Sequence, residues 1–271
     1  MPTVKLMQMG PLPTDLNLRD VVKLANAAQR HFQFELGDPI TGLGAPGEDG
    51  VYSFSALAPL LEARRKRDNV DTAIGVIDCP LVDELFSGLD TASKNVVISL
   101  SPARPLLAHV NQTKSAYVLV EVAAQLLTIE YRQQTGTSAA PEQCAPPWHQ
   151  ETRSCLFDYC ADAPQTLKKL MSPKLCSGCT ALLESANIEA SVIRSCVTLV
   201  ETALRQRFWN VLRSTLGDPI GRFAFGGLVT LLATEGGTAI GFTKLDVGGV
   251  LSVAMLVVLL CQMRRANSRV R

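Results

Sequence analysis

The sequence contains one stretch, CLFDYCADAPQTLKKLMSPKLCSGC (residues 155–179), that holds four of its eight cysteines. They form a C-x4-C pair and a C-x2-C pair, separated by fifteen residues. Four thiolates in two closely spaced pairs are typical of a tetrahedral zinc site, and four protein ligands leave no coordination position for a reacting water. The stretch therefore predicts a structural Zn²⁺ bound by Cys155, Cys160, Cys176 and Cys179.

The remaining cysteines and the histidines lack metal-ligand spacing. Because the N-terminus shows no apolar leader, secretion is not expected, and thiols are favoured over disulfides. We predict that the other four cysteines are buried or incidental thiols (Cys79, Cys144, Cys196 and Cys261). His149 precedes the cysteine stretch and is interpreted as a surface residue or a hydrogen-bonding neighbour of the site, whereas His31 and His109 are isolated.

Upstream of the cysteines, helical and strand patterns alternate. Apolar periodicity predicts helices over Asn17–Phe32, with an Asn cap, over Tyr52–Asp68, with its regular part starting at Pro59, and over Ser115–Gly136. Short apolar runs predict strands in FQFEL from Phe32, in Thr72–Leu81 and in Asn95–Leu100. This alternation predicts a small α/β or α+β domain. A net charge of +1 and 19% charged residues give no reason to expect nucleic-acid binding.

The last fifty residues are far more hydrophobic than the rest. Phe223–Phe242 carries a single charge, Glu235, and Val247–Met263 carries none, so the two runs predict a transmembrane hairpin. Arginines flank both outer ends, which predicts a two-pass protein in the lipid bilayer with its N-terminal domain and C-terminal tail in the cytoplasm. Glycines in both runs favour close helix contact and homo-oligomers. The alternative is a buried helical pair in a soluble core.

A long helix precedes the hairpin, with Asn187 as its predicted cap and Gly217 as its stop. We interpret it either as a core helix or as a connector to the membrane. The predicted organisation is therefore a domain over residues 1–187, a connecting helix over 188–217, and a hairpin with a basic tail over 218–271.

The order of strands, helix and cysteine pairs resembles the archaemetzincins, a family of zinc peptidases. In that family a helix carries HExxHxxGxxH for a catalytic zinc, and C-x4-C and C-x2-C pairs hold a second, structural zinc. Here the matching helix reads VEVAAQLLTIE, so only the glutamate is kept; the motif positions are Val120, Glu121, Ala124, Leu127 and Glu130. The resemblance implies a metzincin-like fold that keeps the structural zinc site and has no catalytic residues.

Three functions stay open. The first is a membrane-anchored, inactive metzincin-like domain that binds or senses a peptide or protein partner. The second is a membrane-perturbing effector whose hairpin oligomerises on a signal from the soluble domain. The third is an atypical zinc hydrolase that would use His149, Glu151 or Asp158 near a second metal. Without catalytic histidines, the sequence favours a protein that is not an enzyme.

Overall fold

The structure is a computed structural model. It describes residues 1–47, 49–82, 86–90, 92–109, 113–136, 154–158 and 163–217. The chain divides into a compact unit, Met1–Arg207, and a second unit, Phe208–Arg271, of which only the backbone as far as Gly217 is described.

A five-stranded sheet with the order β2-β1-β3-β5-β4 forms the centre of the first unit. The strands are β1 (Thr3–Met9), β2 (Gln33–Leu36), β3 (Thr72–Ile77), β4 (Ser87–Asp90) and β5 (Asn95–Ser99). All neighbouring strands pair in parallel except β4, which runs antiparallel to β5 at one edge. The sequence predicted β2, β3 and β5; the structure adds β1 and β4.

Strands β3 and β5 are buried along their whole length. Their pairing sets Ile74 opposite Val96 and Val76 opposite Ile98. Parallel strands covered on both faces read as continuous apolar runs, which is the pattern that identified them in the sequence.

Helices cover both faces of the sheet. Helix α2 (Phe54–Asp68) covers one face, where Leu57 and Leu61 pack in a smaller core. Helices α1 (Leu18–Ala28) and α4 (Lys114–Thr135) belong to the larger core on the other face. The other helices are α3 (Arg104–His109), α5 (Ala163–Met171), α6 (Ser177–Ser185) and α7 (Ala190–Gly217). The fold is therefore mixed α/β.

Side-chain caps begin the three predicted helices of this part of the chain. The Asn17 side chain accepts a hydrogen bond from the Arg19 backbone N–H (3.0 Å), as the sequence predicted. Ser53 begins α2 by accepting from the Ala56 N–H (3.2 Å), so the prediction that this helix becomes regular only at Pro59 is wrong.

Helix α4 is buried over nearly its whole circumference. Thr113 caps its start, and Gly136 ends it with a left-handed φ of 65°, as predicted. A helix buried on all sides lies in the core rather than on an open surface.

Asn187 ends α6 and does not begin α7. Its φ of 59° is left-handed; its N–H donates to the Glu184 carbonyl (3.0 Å), and the next N–H, of Ile188, donates to the Leu183 carbonyl (3.1 Å). These two bonds form a Schellman motif, in which Asn is an accepted substitute for Gly. The prediction of Asn187 as the cap of the long helix is corrected accordingly.

The first part of α7 belongs to the large core. Its buried residues include Val192, Cys196 and Leu199, and the compact unit extends to Arg207, beyond the predicted boundary at residue 187. None of the helices in the described part of the chain is both long enough and apolar enough to cross a bilayer. The predicted hairpin, Phe223–Met263, lies outside the described residues.

Candidate metal centre

Three of the four predicted zinc ligands meet in the structure. The sulfur atoms of Cys155, Cys176 and Cys179 all lie within 4.8 Å of one another. Cys155 and Cys179 are buried, and Cys176 is partly exposed. Cys160, the fourth predicted ligand, lies outside the described residues.

A short parallel bridge brings Cys155 to the C-x2-C pair. The Leu156 N–H donates to the Lys174 carbonyl (2.8 Å), and the Lys174 N–H donates to the Ser154 carbonyl (3.0 Å). The Asp158 carboxylate accepts from the Cys155 N–H (2.9 Å), which closes the turn that presents the first thiol. Backbone pairing therefore sets the distance between two cysteines that are far apart in sequence.

The second pair lies at the start of α6. Cys176 is the N-cap residue, and its sulfur accepts from the Cys179 N–H (3.4 Å). The Cys176 N–H in turn donates to the Cys155 sulfur (3.4 Å). These two hydrogen bonds link the two members of the C-x2-C pair to each other and the pair to Cys155.

The geometry and the donor chemistry both suit zinc. With Zn–S bonds of about 2.3 Å, two sulfur ligands of a tetrahedral zinc ion lie about 3.8 Å apart. The sulfur–sulfur distances in the cluster, all within 4.8 Å, are compatible with this value. Two effects raise the pKa of the Cys179 thiol: the hydrogen bond with Cys155, which is the larger effect, and burial. A bound cation reverses this effect because it stabilises thiolates and displaces their protons. Soft sulfur donors select zinc over magnesium or calcium.

Helix α4 buries four of the five positions that correspond to the peptidase motif, whereas the fifth, Glu130, is partly exposed. Val120, Ala124 and Leu127 are fully buried, and none of them carries a metal-binding atom. Glu121 is also buried, and its carboxylate accepts a hydrogen bond from the Ser87 hydroxyl (3.2 Å).

The remaining candidate residues do not join the cysteine cluster among the described residues. The His31 ring packs edge-on against Phe32, and its Nδ1 lies 3.2 Å from the Ser191 hydroxyl. Cys79 and Cys196 are free thiols outside the cluster, and burial raises the pKa of both. The side chain of His109 and the whole of Cys144, His149, Glu151 and Cys261 lie outside the described residues.

Sequence reasoning missed that Ser87 donates a hydrogen bond to Glu121 and accepts one from Gln125. Gln125 lies one helical turn after Glu121, so the i, i+4 spacing could have indicated a shared face. Ser87 comes from β4, a strand that the sequence did not predict, and no local signal links it to α4.

The chain was compared with protein families, curated proteins and solved structures. No family model matches the chain, and no curated protein matches it. The chain is similar to the crystal structure of archaemetzincin from Methanopyrus kandleri, with 15% sequence identity, a TM-score of 0.41, and coverage of 69% of this chain and 95% of that chain.

Proposed function

We propose that this chain carries a metzincin-like domain that binds a structural zinc ion, has lost peptidase activity, and serves as a membrane-anchored binding or sensing module. Two observations together carry the proposal: three cysteine thiols are assembled in one cluster, and the buried helix α4 has no histidine at the motif positions. One half of a two-zinc design is kept and the other is absent.

The cysteine cluster supports a structural role for the metal. Its ligands come from two segments, Ser154–Asp158 and the start of α6, and a zinc ion would bind them to each other. Small zinc domains gain about 10–16 kcal/mol of apparent binding free energy from such sites. A fourth thiolate from Cys160 would complete a closed tetrahedron with no open position for substrate.

The burial of α4 supports the loss of catalysis. A metallopeptidase of this kind holds zinc with imidazoles at i and i+4 on one helix face. Val120 and Ala124 occupy those positions with 0% exposure, so the space is filled by core packing. Glu121 then has no zinc-bound water to deprotonate.

Membrane anchoring rests on the sequence. Two apolar runs of bilayer length, Phe223–Phe242 and Val247–Met263, with arginines outside them, favour a two-pass hairpin with both ends in the cytoplasm. On this proposal the partners are the bilayer, a peptide or protein bound by the domain, and further copies of the chain through the hairpin.

Metal analysis of the full chain and of Cys176→Ser tests the zinc assignment. Serine is itself a strong N-cap residue, so this variant removes a ligand and keeps the cap of α6. We expect one zinc ion per purified wild-type chain, and loss of zinc and of the cooperative unfolding transition in the variant. Cys79→Ser, which changes a thiol outside the cluster, is the matched control and should keep its zinc. Full zinc content in Cys176→Ser would contradict the four-cysteine site.

Fractionation and activity assays test the rest of the proposal. Deleting residues 223–263 should move the protein from the membrane fraction to the supernatant, and the zinc-loaded chain should cleave no peptide substrate. Toxicity on expression that disappears with the same deletion would favour the membrane effector instead. Hydrolysis that is lost in Glu121→Gln would favour the atypical hydrolase.

A further inference from the structure

Three oxygen-bearing side chains meet between the edge strand β4 and helix α4. The Ser87 hydroxyl donates to the Glu121 carboxylate (3.2 Å), and the Gln125 amide N–H donates to the Ser87 oxygen (2.7 Å). Glu121 and Gln125 are 3% and 2% exposed, so both ends of this chain of hydrogen bonds are buried. The cluster lies outside the cysteine site and contains no sulfur or imidazole.

The carboxylate of Glu121 lacks a balancing charge among the described residues. Its one hydrogen bond comes from a neutral hydroxyl, and none of the ion pairs between described residues includes it. Arg132 lies on the same face of α4 as Glu121. At a rise of 1.5 Å per residue, however, the two residues are about 16 Å apart along the helix axis, which is too far for an ion pair. A buried carboxylate without a counter-charge destabilises the folded state, so the site favours a positive charge.

Gln125 supplies a second, independent sign of a ligand. Its amide oxygen is buried and has no hydrogen-bond partner in the part of the chain that the structure describes, although its amide nitrogen donates to the Ser87 oxygen. Gln125 and Glu121 share Ser87 as a hydrogen-bond partner, so this group contains two kinds of oxygen donor with unused lone pairs.

We propose that Ser87, Glu121 and Gln125 bind a hard cation of the alkali or alkaline-earth series. Carboxylate, amide and hydroxyl oxygens are the donors that such ions prefer, whereas zinc prefers the sulfur atoms of the cysteine cluster. The cation neutralises Glu121 and occupies the free lone pair of Gln125. Because Ser87 belongs to β4, the ion also joins the edge strand to the core helix.

Thermal unfolding in different salts tests the site. The zinc-loaded full chain is melted in chlorides of Na⁺, K⁺, Mg²⁺ and Ca²⁺, and in tetramethylammonium chloride at equal ionic strength as the reference. At a cation concentration of about 100 times the Kd, the folded-to-unfolded ratio should rise about 100-fold over the reference. The reference salt has the same screening but a cation too large to enter, so screening alone gives no difference.

Variants separate this site from a general salt effect. Glu121→Gln keeps the shape and the acceptor for Ser87 but removes the charge, and it should unfold at one temperature in all five salts. Ser87→Ala should weaken the response, and it carries the test if Glu121→Gln does not fold. Glu62→Gln is the control, because Arg65 and Lys66 already pair that carboxylate, and it should keep the full response. Identical wild-type melting in every salt, or an undiminished response in Glu121→Gln, would overturn the proposal.

Discussion

Ending the chain at residue 187 should prevent the N-terminal unit from folding, whereas ending it at residue 207 should not. The sequence places the domain boundary at residue 187, but α7 continues the core past that point. The shorter fragment lacks six core residues that the longer one keeps: Ile188, Val192, Cys196, Leu199, Val200 and Ala203.

The size of the effect follows from burial. Four of the missing side chains are Val, Leu or Ile, each 0–6% exposed. Burying such a side chain contributes about 1.5–3 kcal/mol, which gives about 6–12 kcal/mol in total. Typical domains have a free energy of unfolding of only about 5–15 kcal/mol. The fragment 1–187 should therefore lose most or all of its stability, before the newly exposed partner surfaces are considered.

Urea unfolding followed by circular dichroism measures this. We expect one cooperative transition for 1–207 and none for 1–187. In the longer fragment, Leu199→Ala should lower the free energy of unfolding by about 2–5 kcal/mol. Glu201→Ala, on the exposed side of the same helix, should change it by no more than about 0.5 kcal/mol. A fragment 1–187 that unfolds at the same midpoint as 1–207 would refute the assignment of α7 to the core.

Three further substitutions test single features. The hydrogen bond from Arg65 lowers the pKa of Glu62 to about 2, so Glu62→Gln should reduce the free energy of unfolding by about 1 kcal/mol in denaturation at pH 7. That difference should be complete above the unfolded pKa of 4.5 and vanish as the pH falls through 2. Gly88→Ala would press its methyl group against the Phe54 ring and should cost about 1–3 kcal/mol in urea unfolding. Val120→His buries an imidazole in the core, so it should lower the melting temperature and confer no peptidase activity.

Local signals predicted much of the fold. The continuous apolar runs of β3 and β5 identify central parallel strands, and Gly136 marks the end of α4 because glycine adopts a left-handed φ without strain. The predicted start of α2 at Pro59 is wrong. The missing N–H of Pro59 leaves the Ser55 carbonyl without its helical partner, but Ser55 is exposed, so water can satisfy that carbonyl and the helix continues.

Two strands, β1 and β4, were not predicted from the sequence, because tertiary packing rather than local pattern determines them. Strand β1, TVKLMQM, has few β-branched residues, and it becomes a strand by pairing with both β2 and β3. Strand β4 has four residues, and one of them, Gly88, weakens strand propensity. That glycine lies against the Phe54 ring of α2, where a side chain would collide, and no local pattern in the sequence reveals this contact.

The candidate site likewise combines contacts that local sequence predicts with contacts that depend on tertiary packing. The C-x2-C pair is local, because Cys176 and Cys179 lie on one helical turn and hydrogen-bond each other. Cys155 reaches them through the bridge to Lys174, which spacing alone does not specify. The contact between Ser87 and Glu121 spans 34 positions and depends on the unpredicted strand β4.

A short part of the chain connects the cysteine cluster to α7. Cys176 and Cys179 begin α6, Asn187 ends it in a hydrogen-bonded turn, and α7 starts at Ala190. Leu183 of α6 packs in the same core as Val192 of α7. On the proposed zinc assignment, releasing the ion would free the start of α6, and we expect the loss of order to reach α7 through this shared core. A structural metal in this place can therefore influence a helix that continues toward the C-terminal region without any catalytic step.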